Sequence, residues 1–290
     1  MSSSELDDAT ARWRLDLAYD GAAFAGFAPQ PGRETVVGAL GGALERTLRL
    51  GAPPFIVGAG RTDVGVHALA QVVSLDLPVS AASSASADHL VAALNGQLRG
   101  RAAVLRARVV DGFNARHDAT WRAYRYLVTT GAPLGVTSRV AWPVSGDLDD
   151  AAMNDAAALV LGDHDFRAFC RRPADKVSSD PLVRHVLAAS WRVEPDPLAL
   201  STSGAFFVFS IRANAFCHHQ VRRLVGAFVD VGRGRLAITD LAARLESGDP
   251  AGLPAPAPAA GLALVGVGYD ERHGGPSGRS TQVSPIGSAP

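Results

Sequence analysis

The segment Gly58-Ala59-Gly60-Arg61-Thr62-Asp63-Val64-Gly65-Val66-His67-Ala68 gathers glycines, an arginine, a carboxylate and an imidazole into one short stretch. Glycines open backbone paths that other residues cannot follow, so such a loop can carry side chains to a position that an ordinary turn would not reach. It is not a phosphate loop. The dinucleotide pattern needs a glycine where Asp63 stands, the residues that follow read as a strand and not a helix, and no Gly-Lys-Ser/Thr occurs. The groups it presents are Arg61, Asp63 and His67. An arginine two residues from a carboxylate favours its ionised form, which suits a nucleophile better than a general acid. The plainer reading of the same residues is a salt-bridged turn.

Two further segments carry chemistry. Phe113-Asn114-Ala115-Arg116-His117-Asp118 runs into Trp121-Arg122-Ala123-Tyr124-Arg125-Tyr126. On a strand, alternation puts Arg122, Tyr124, Tyr126 and Val128 on one face and Trp121, Ala123, Arg125 and Leu127 on the other. Rings hold unstacked bases and guanidinium groups hold phosphates, so this interleaving suits RNA; the alternative is an ordinary cross-strand aromatic pair. His164-Asp165-Phe166, Phe169-Cys170 and Phe216-Cys217-His218-His219-Gln220-Val221-Arg222-Arg223 invite a metal reading. No histidine pair has the four-residue helical spacing of a zinc site, and neighbouring His218 and His219 would point about 100° apart on a helix, so no metal is expected. Arg222 falls off the Val221, Leu224, Val225 and Phe228 stripe, from where it reaches a site at the sheet edge or lies in water. The two cysteines, Cys170 and Cys217, read as small core residues.

The elements that must position these groups follow from periodicity. With 290 residues, 47% of them hydrophobic and 19% charged, the chain can bury a sizeable core. No run approaches the roughly 18 apolar residues of a membrane span, and the amino terminus lacks a secretory pattern, so a cytoplasmic location is expected. Formal charge is zero, and Lys176 is the only lysine among 28 basic residues. Arginines cluster at Arg99/Arg101/Arg106/Arg108, Arg171/Arg172, Arg222/Arg223 and Arg233/Arg235, as solvated faces or as phosphate contacts. Strands are expected over residues 12–19, with Trp13, Leu15, Leu17 and Tyr19 inward and Arg12, Arg14 and Asp16 outward, and over 71–77, 103–110, 121–128, 185–193, 205–215 and 262–269. Helices are expected over 35–50, stopped by Gly51, over 88–98 capped by Asp88, after Asp147 to about 161, from the 221–228 stripe, and in a short segment capped by Thr239. This is an α+β chain of two similar domains, each a mainly antiparallel sheet with helices on one face and an active-site cleft between them. The expected boundaries are a flexible amino terminus over 1–11, an amino-terminal domain over 12–111, a carboxy-terminal domain over 112–272 and a disordered tail over 273–290.

In this order the motifs resemble the tRNA pseudouridine synthase A family, over nearly the whole span from Trp13 to Tyr269. The matching residues are Tyr19-Asp20-Gly21, Gly60-Arg61-Thr62-Asp63-x-Gly65-Val66-His67-Ala68, Phe113-Asn114-Ala115-Arg116, Arg122-x-Tyr124-x-Tyr126, His164-Asp165-Phe166, Val221-Arg222 with Val225-Gly226, and Pro258-Ala259-x-Gly261-Leu262. The resemblance implies isomerisation of uridines 38 to 40 in the tRNA anticodon stem-loop by a homodimer that uses no cofactor. It makes Asp63 the nucleophilic aspartate, Arg61 its loop partner, Tyr124 the ring stacked on the target uracil and Arg222 the arginine paired with Asp63. His67, Phe113, Arg116, Arg122 and Leu262 join Tyr124 and Arg61 as expected substrate contacts. Phe27, Val64 and Gln220 depart from the family's usual tryptophan, alanine and methionine. Two rival readings are a metal-dependent hydrolase built on His67, His117, His164 and His218, and an RNA-binding module without chemistry.

Overall fold

The computed structural model describes residues 9–79, 87–131, 135–171, 180–195 and 205–277. Arg172, Lys176, most of the Ser/Ala-rich loop, residues 1–8 of the expected flexible terminus and residues 278–290 of the expected tail lie outside them. The fold is α+β. The chain divides into two compact units, one from the amino terminus to Thr120 joined by Leu264–Ser280, the other over Trp121–Ala263. Residues 264–272, grouped with the second domain in the sequence reading, thus pack with the first unit. No helix among the described residues is long and apolar enough to cross a membrane.

In the first unit, strands β1 (Thr10–Tyr19), β3 (His67–Pro78), β4 (Ala102–Val109) and the later part of β10 (Leu262–Gly268) lie in the order β4-β1-β3-β10. The β1 pairings with β3 and β4 are antiparallel, and the short β2 (Val57–Gly58) adds to β3. Helices α1 (Val36–Leu48) and α2 (Ala87–Leu98) pack on each other, and α2 lies against β4. Thr35 caps α1 by accepting from the Gly38 N–H, and the helix ends at Leu48 because Arg49 turns left-handed (φ 52°), two residues before the expected Gly51 stop. Asp88 sits inside the first turn of α2 and is not its cap.

The polar edge of β1 overturns a simple inside–outside reading. Trp13, Leu15, Leu17 and Tyr19 are buried as expected, but Arg14 (0% exposed) and Asp16 (7%) are buried too. Arg14 Nε donates to Asp16 Oδ1 at 2.7 Å, and its Nη1 donates to the carbonyls of His273 and Gly275 at 2.7 and 2.9 Å. Its guanidinium also lies over the rings of Tyr269 and Phe113, 4.7 and 5.6 Å from their centroids. The second face of the strand is therefore covered by the segment that the composition marks as disordered. Residues 273–277 are ordered there: His273 is buried, and Ser277 bridges to Val267. Thr10 and Ala11 are likewise already in β1, paired with Pro78 and Leu77.

In the second unit, β5 (Trp121–Thr129), β9 (Ala205–Ala213), β8 (Val183–Pro195) and β7 (Gly162–Asp165) follow in that order, all antiparallel, and β6 (Trp142–Pro143) runs parallel to β5. Helix α3 (Asp150–Ala158), capped by Asp149, packs on β8 and on α4 (Gln220–Gly232). Helix α5 (Ile238–Ser247) has Thr239 inside it, with Ala237 at the cap position. Cys170 and Cys217 are joined by a disulfide, with Cα atoms 5.7 Å apart, instead of standing as separate core thiols.

Removing the guanidinium of Arg14 leaves the Asp16 carboxylate buried without its partner. Arg14→Leu is expected to lower unfolding free energy by about 3–5 kcal/mol, read from urea denaturation, and Arg14→Leu/Asp16→Leu to recover much of it. A single-variant loss under about 1 kcal/mol would show that the pair adds no more than an exposed one.

Candidate active site

The glycine-rich segment begins in β2 as a strand and leaves the sheet as a turn. Ala59 N–H donates to Val72 O at 2.8 Å, and the chain turns at Asp63–Val66, where Val66 N–H donates to Asp63 O at 3.1 Å and Gly65 has φ 81°. Arg61 is exposed, Thr62 is buried and Asp63 is half-buried, so the alternation turns the carboxylate away from the core while anchoring its neighbour in it. Two close approaches hold the turn in place. A Cβ on Gly21 would lie 2.1 Å from Val66 O, so only glycine lets the end of β1 meet the turn. Phe27, the departure from the usual tryptophan, lays its ring over Gly58, donates its N–H to Thr62 O at 3.1 Å and is buried. Val64, the second departure, is exposed.

His67 does a structural job in this corner. Its Nδ1 accepts from Gly21 N–H at 3.1 Å and lies 3.2 Å from Asp20 Oδ1, whose carboxylate also accepts from Ala22 N–H. Below the turn, Tyr19 Oη bonds Thr62 Oγ1 at 2.8 Å, and Gln71 Nε2 reaches both Tyr19 Oη and Gly60 O. Burial pushes the Tyr19 phenol up to about 12, which keeps it a proton donor near neutrality.

The remaining expected contacts of the first unit separate by burial. Arg116 is exposed, in a turn where Asn114 Oδ1 accepts the N–H groups of Arg116 and His117. Phe113 is 0% exposed, with its ring 5.0 Å from that of Tyr269 and beneath the Arg14 guanidinium. That corrects its expected place at the substrate: a ring enclosed on all sides seats the loop and offers no face to a base.

In the second unit, Arg122, Tyr124 and Tyr126 share one face of β5. Arg122 Nη1 donates to Asn214 O at 2.9 Å. Tyr124, 8% exposed, meets the Phe216 ring edge-on with centroids 5.2 Å apart. Tyr126 is fully buried; its hydroxyl donates to Pro258 O at 2.7 Å, and its ring lies against Gly261, where a Cβ would come within 2.6 Å. Burial raises the Tyr126 phenol's pKa, and the positive charge of Arg222 opposes that rise. Arg222, half-buried in the first turn of α4, donates Nε–H to Ala257 O at 2.7 Å, and its own carbonyl accepts from Ala257 N–H at 2.9 Å. Leu262 is buried at the start of β10.

His218 and His219 are not on the helix. Gln220 is its first residue, His219 stands before it with φ 67°, and the two rings lie side by side with centroids 4.0 Å apart. The diverging geometry used against a shared ion is therefore incorrect. Gln220, the third departure, is buried and accepts from Cys217 N–H at 2.9 Å, closing the turn before α4. The residues missed by sequence reasoning are Arg14, Gln71, Tyr19 and Thr62 as buried polar partners. For Arg14, Gln71 and Tyr19 the signal was polarity placed on a strand, while Thr62, in the glycine-rich turn, carried none of that kind.

Residues 156–270 match a family model described as tRNA pseudouridine synthase. A tRNA pseudouridine synthase A of Frankia casuarinae is 41% identical over 271 residues, covering 91% of each chain. Those of Methylobacterium radiotolerans and Cutibacterium acnes are each 40% identical, over 89% of this chain and 98% and 88% of theirs. With relatives about 40% identical over some nine-tenths of its length, the chain belongs to the tRNA pseudouridine synthase A family of isomerases.

Proposed function

We propose that this protein converts uridines 38, 39 and 40 of the tRNA anticodon stem-loop to pseudouridine, as a cytoplasmic homodimer and without a cofactor. The observation that carries the reading is the Asp63 turn: a half-buried carboxylate beside an exposed arginine, on a backbone that Gly21, Phe27 and the Tyr19–Thr62 bond fix from below. The chemistry requires such a group. The bond from ribose C1′ to N1 breaks, a bond from C1′ to C5 forms, the C5 proton leaves and N1 gains one, so the isomer has the composition of the substrate. Asp63 is the nucleophile of this exchange, and Arg61 and Arg222 bind and orient the charged groups of the substrate. Tyr124 stacks on the uracil once it has left its helix, offsetting an unstacking cost of a few kcal/mol. Exposed Arg116 and half-buried Arg122 hold phosphates, and His67 and Leu262 are further substrate contacts. Phe113 supports it from the core.

Asp63→Ala is expected to abolish tritium release from C5-labelled uridine in tRNA while changing tRNA affinity less than about threefold. Turnover within about tenfold of the parent would remove Asp63 from this role. Tyr124→Phe keeps the ring and its stacking, worth roughly 1–3 kcal/mol, and should bind tRNA normally. If the hydroxyl moves the C5 proton, turnover falls about a hundredfold or more. Tyr124→Leu should lose affinity as well, and parental behaviour of both variants would make Tyr124 a sheet residue only. Binding of tRNA should weaken steeply between about 50 and 200 mM salt, because counterion release follows the number of phosphate contacts and not net charge. A flat titration would leave the arginine clusters as solvated faces.

A further inference from the structure

The turn bearing Arg61 and Asp63 rests on a chain of buried hydrogen bonds. Gln71, on β3, is 0% exposed, Tyr19 is 5% and Thr62 is 7%. The side-chain amide of Gln71 donates from Nε2 to Gly60 O at 2.8 Å and to Tyr19 Oη at 3.3 Å, while its Oε1 accepts from Val72 N–H at 3.2 Å. The reverse amide orientation would set Nε2 against an N–H and Oε1 against a carbonyl, so these backbone groups decide which atom is which. Both amide hydrogens are then committed. Tyr19, accepting from Gln71, also shares a hydrogen bond with Thr62 Oγ1 at 2.8 Å, in which either hydroxyl can donate. The chain links Gln71, Tyr19 and Thr62.

The ends of this chain matter more than its length. Its two points of attachment to the loop are the carbonyl of Gly60 and the hydroxyl of Thr62, which bracket Arg61, and Asp63 is the next residue. A network that served packing alone would have no reason to close on those two positions. We infer that Gln71 and Tyr19 are positioning residues for the reaction, fixing the Gly60–Thr62 backbone so that the Asp63 carboxylate and the Arg61 guanidinium are presented in one geometry. The inference rests on Asp63 being the reactive carboxylate. Neither residue touches the substrate; each acts through the backbone of the turn. Misplacing a reacting group by about 1 Å costs on the order of a hundredfold in rate.

The test uses the full-length protein and tritium release from C5-labelled tRNA, with kcat and KM measured separately and folding checked by thermal unfolding. Tyr19→Phe, which keeps the ring, and Thr62→Val, which keeps the shape, are each expected to lower kcat by about 10- to 100-fold with KM within about threefold. Gln71→Met, which removes both donors, should do the same. The double variant Tyr19→Phe/Thr62→Val removes both ends of one bond, so thermal stability should partly return while kcat stays low. Should kcat return together with stability, or should the folded single variants keep kcat within threefold of the parent, the chain is structural and the inference falls. Asp63→Ala is run in parallel. If it is inactive while Tyr19→Phe is parental, only the positioning role fails; if Asp63→Ala itself turns over, the reading of Asp63 fails and takes this inference with it.

Discussion

A strand covered on both faces has no water to offer its polar groups, and every such group must find a partner inside the protein. β1 and its neighbour β3 are in that position. On one face of the pair, Arg14 and Asp16 satisfy each other and draw in the carbonyls of His273 and Gly275, while Ser74 Oγ accepts from Ala115 N–H at 3.0 Å. On the other, Leu17 lies opposite Gln71, whose amide is spent on Gly60, Tyr19 and Val72. The demand for internal partners is what reaches out from the sheet and seizes the segments around it. One face captures the carboxy-terminal strap and the Phe113 loop; the opposite face captures the turn that carries Asp63.

This arrangement converts a stability requirement into a positional one. Buried hydrogen bonds are modest in net worth, about 0.5–1.5 kcal/mol each, but leaving one partner unsatisfied costs more, so the turn has few alternative seats. Sterics narrow them further, because the Gly21 backbone and the Phe27 ring occupy the space into which the turn could otherwise relax. In the role proposed for Asp63, such a frame sets the reach of the carboxylate before substrate arrives and leaves little ordering to be done in the transition state.

What could be read from the sequence follows from the same physics. The alternating strands and the 3.6-residue stripe of α4 were legible because burial of one face leaves a period in the residue types. The second face of β1 was not, since a buried Arg14 and an exposed one look identical until the groups around it are known. For the same reason, residues 273–277 read as disordered by composition although three backbone carbonyls of that segment serve as acceptors for Arg14 and Arg108. Helix ends were displaced by two residues where the obvious cap was not the one used: Arg49 in place of Gly51, and Ala237 in place of Thr239. Of the candidate site, the catalytic-type residues stood out as motifs, and the residues that hold them did not. Gln71 carried only the hint of an amide in the run Ala70-Gln71-Val72-Val73, and the two-residue strands β2 and β6 are too short to leave any period at all.

The zero net charge is also less informative than it looks, because much of the arginine is used inside each unit. Arg12 with Asp76, Arg101 with Glu34, Arg167 with Asp165 and Arg272 with Asp270 are ion pairs, so each cancels an acidic residue locally. Other arginines donate to backbone carbonyls: Arg233 to Ser145 and Arg108 to Gly274. A guanidinium has five N–H donors, and one or two bonds to a carbonyl fix its plane while leaving its positive charge in place. Holding a long side chain in this way removes much of the rotamer entropy that binding would otherwise have to overcome, about 0.5–1.5 kcal/mol for each side chain immobilised. A chain of no net charge can therefore hold arginines in fixed orientations that the sum of its charges does not register.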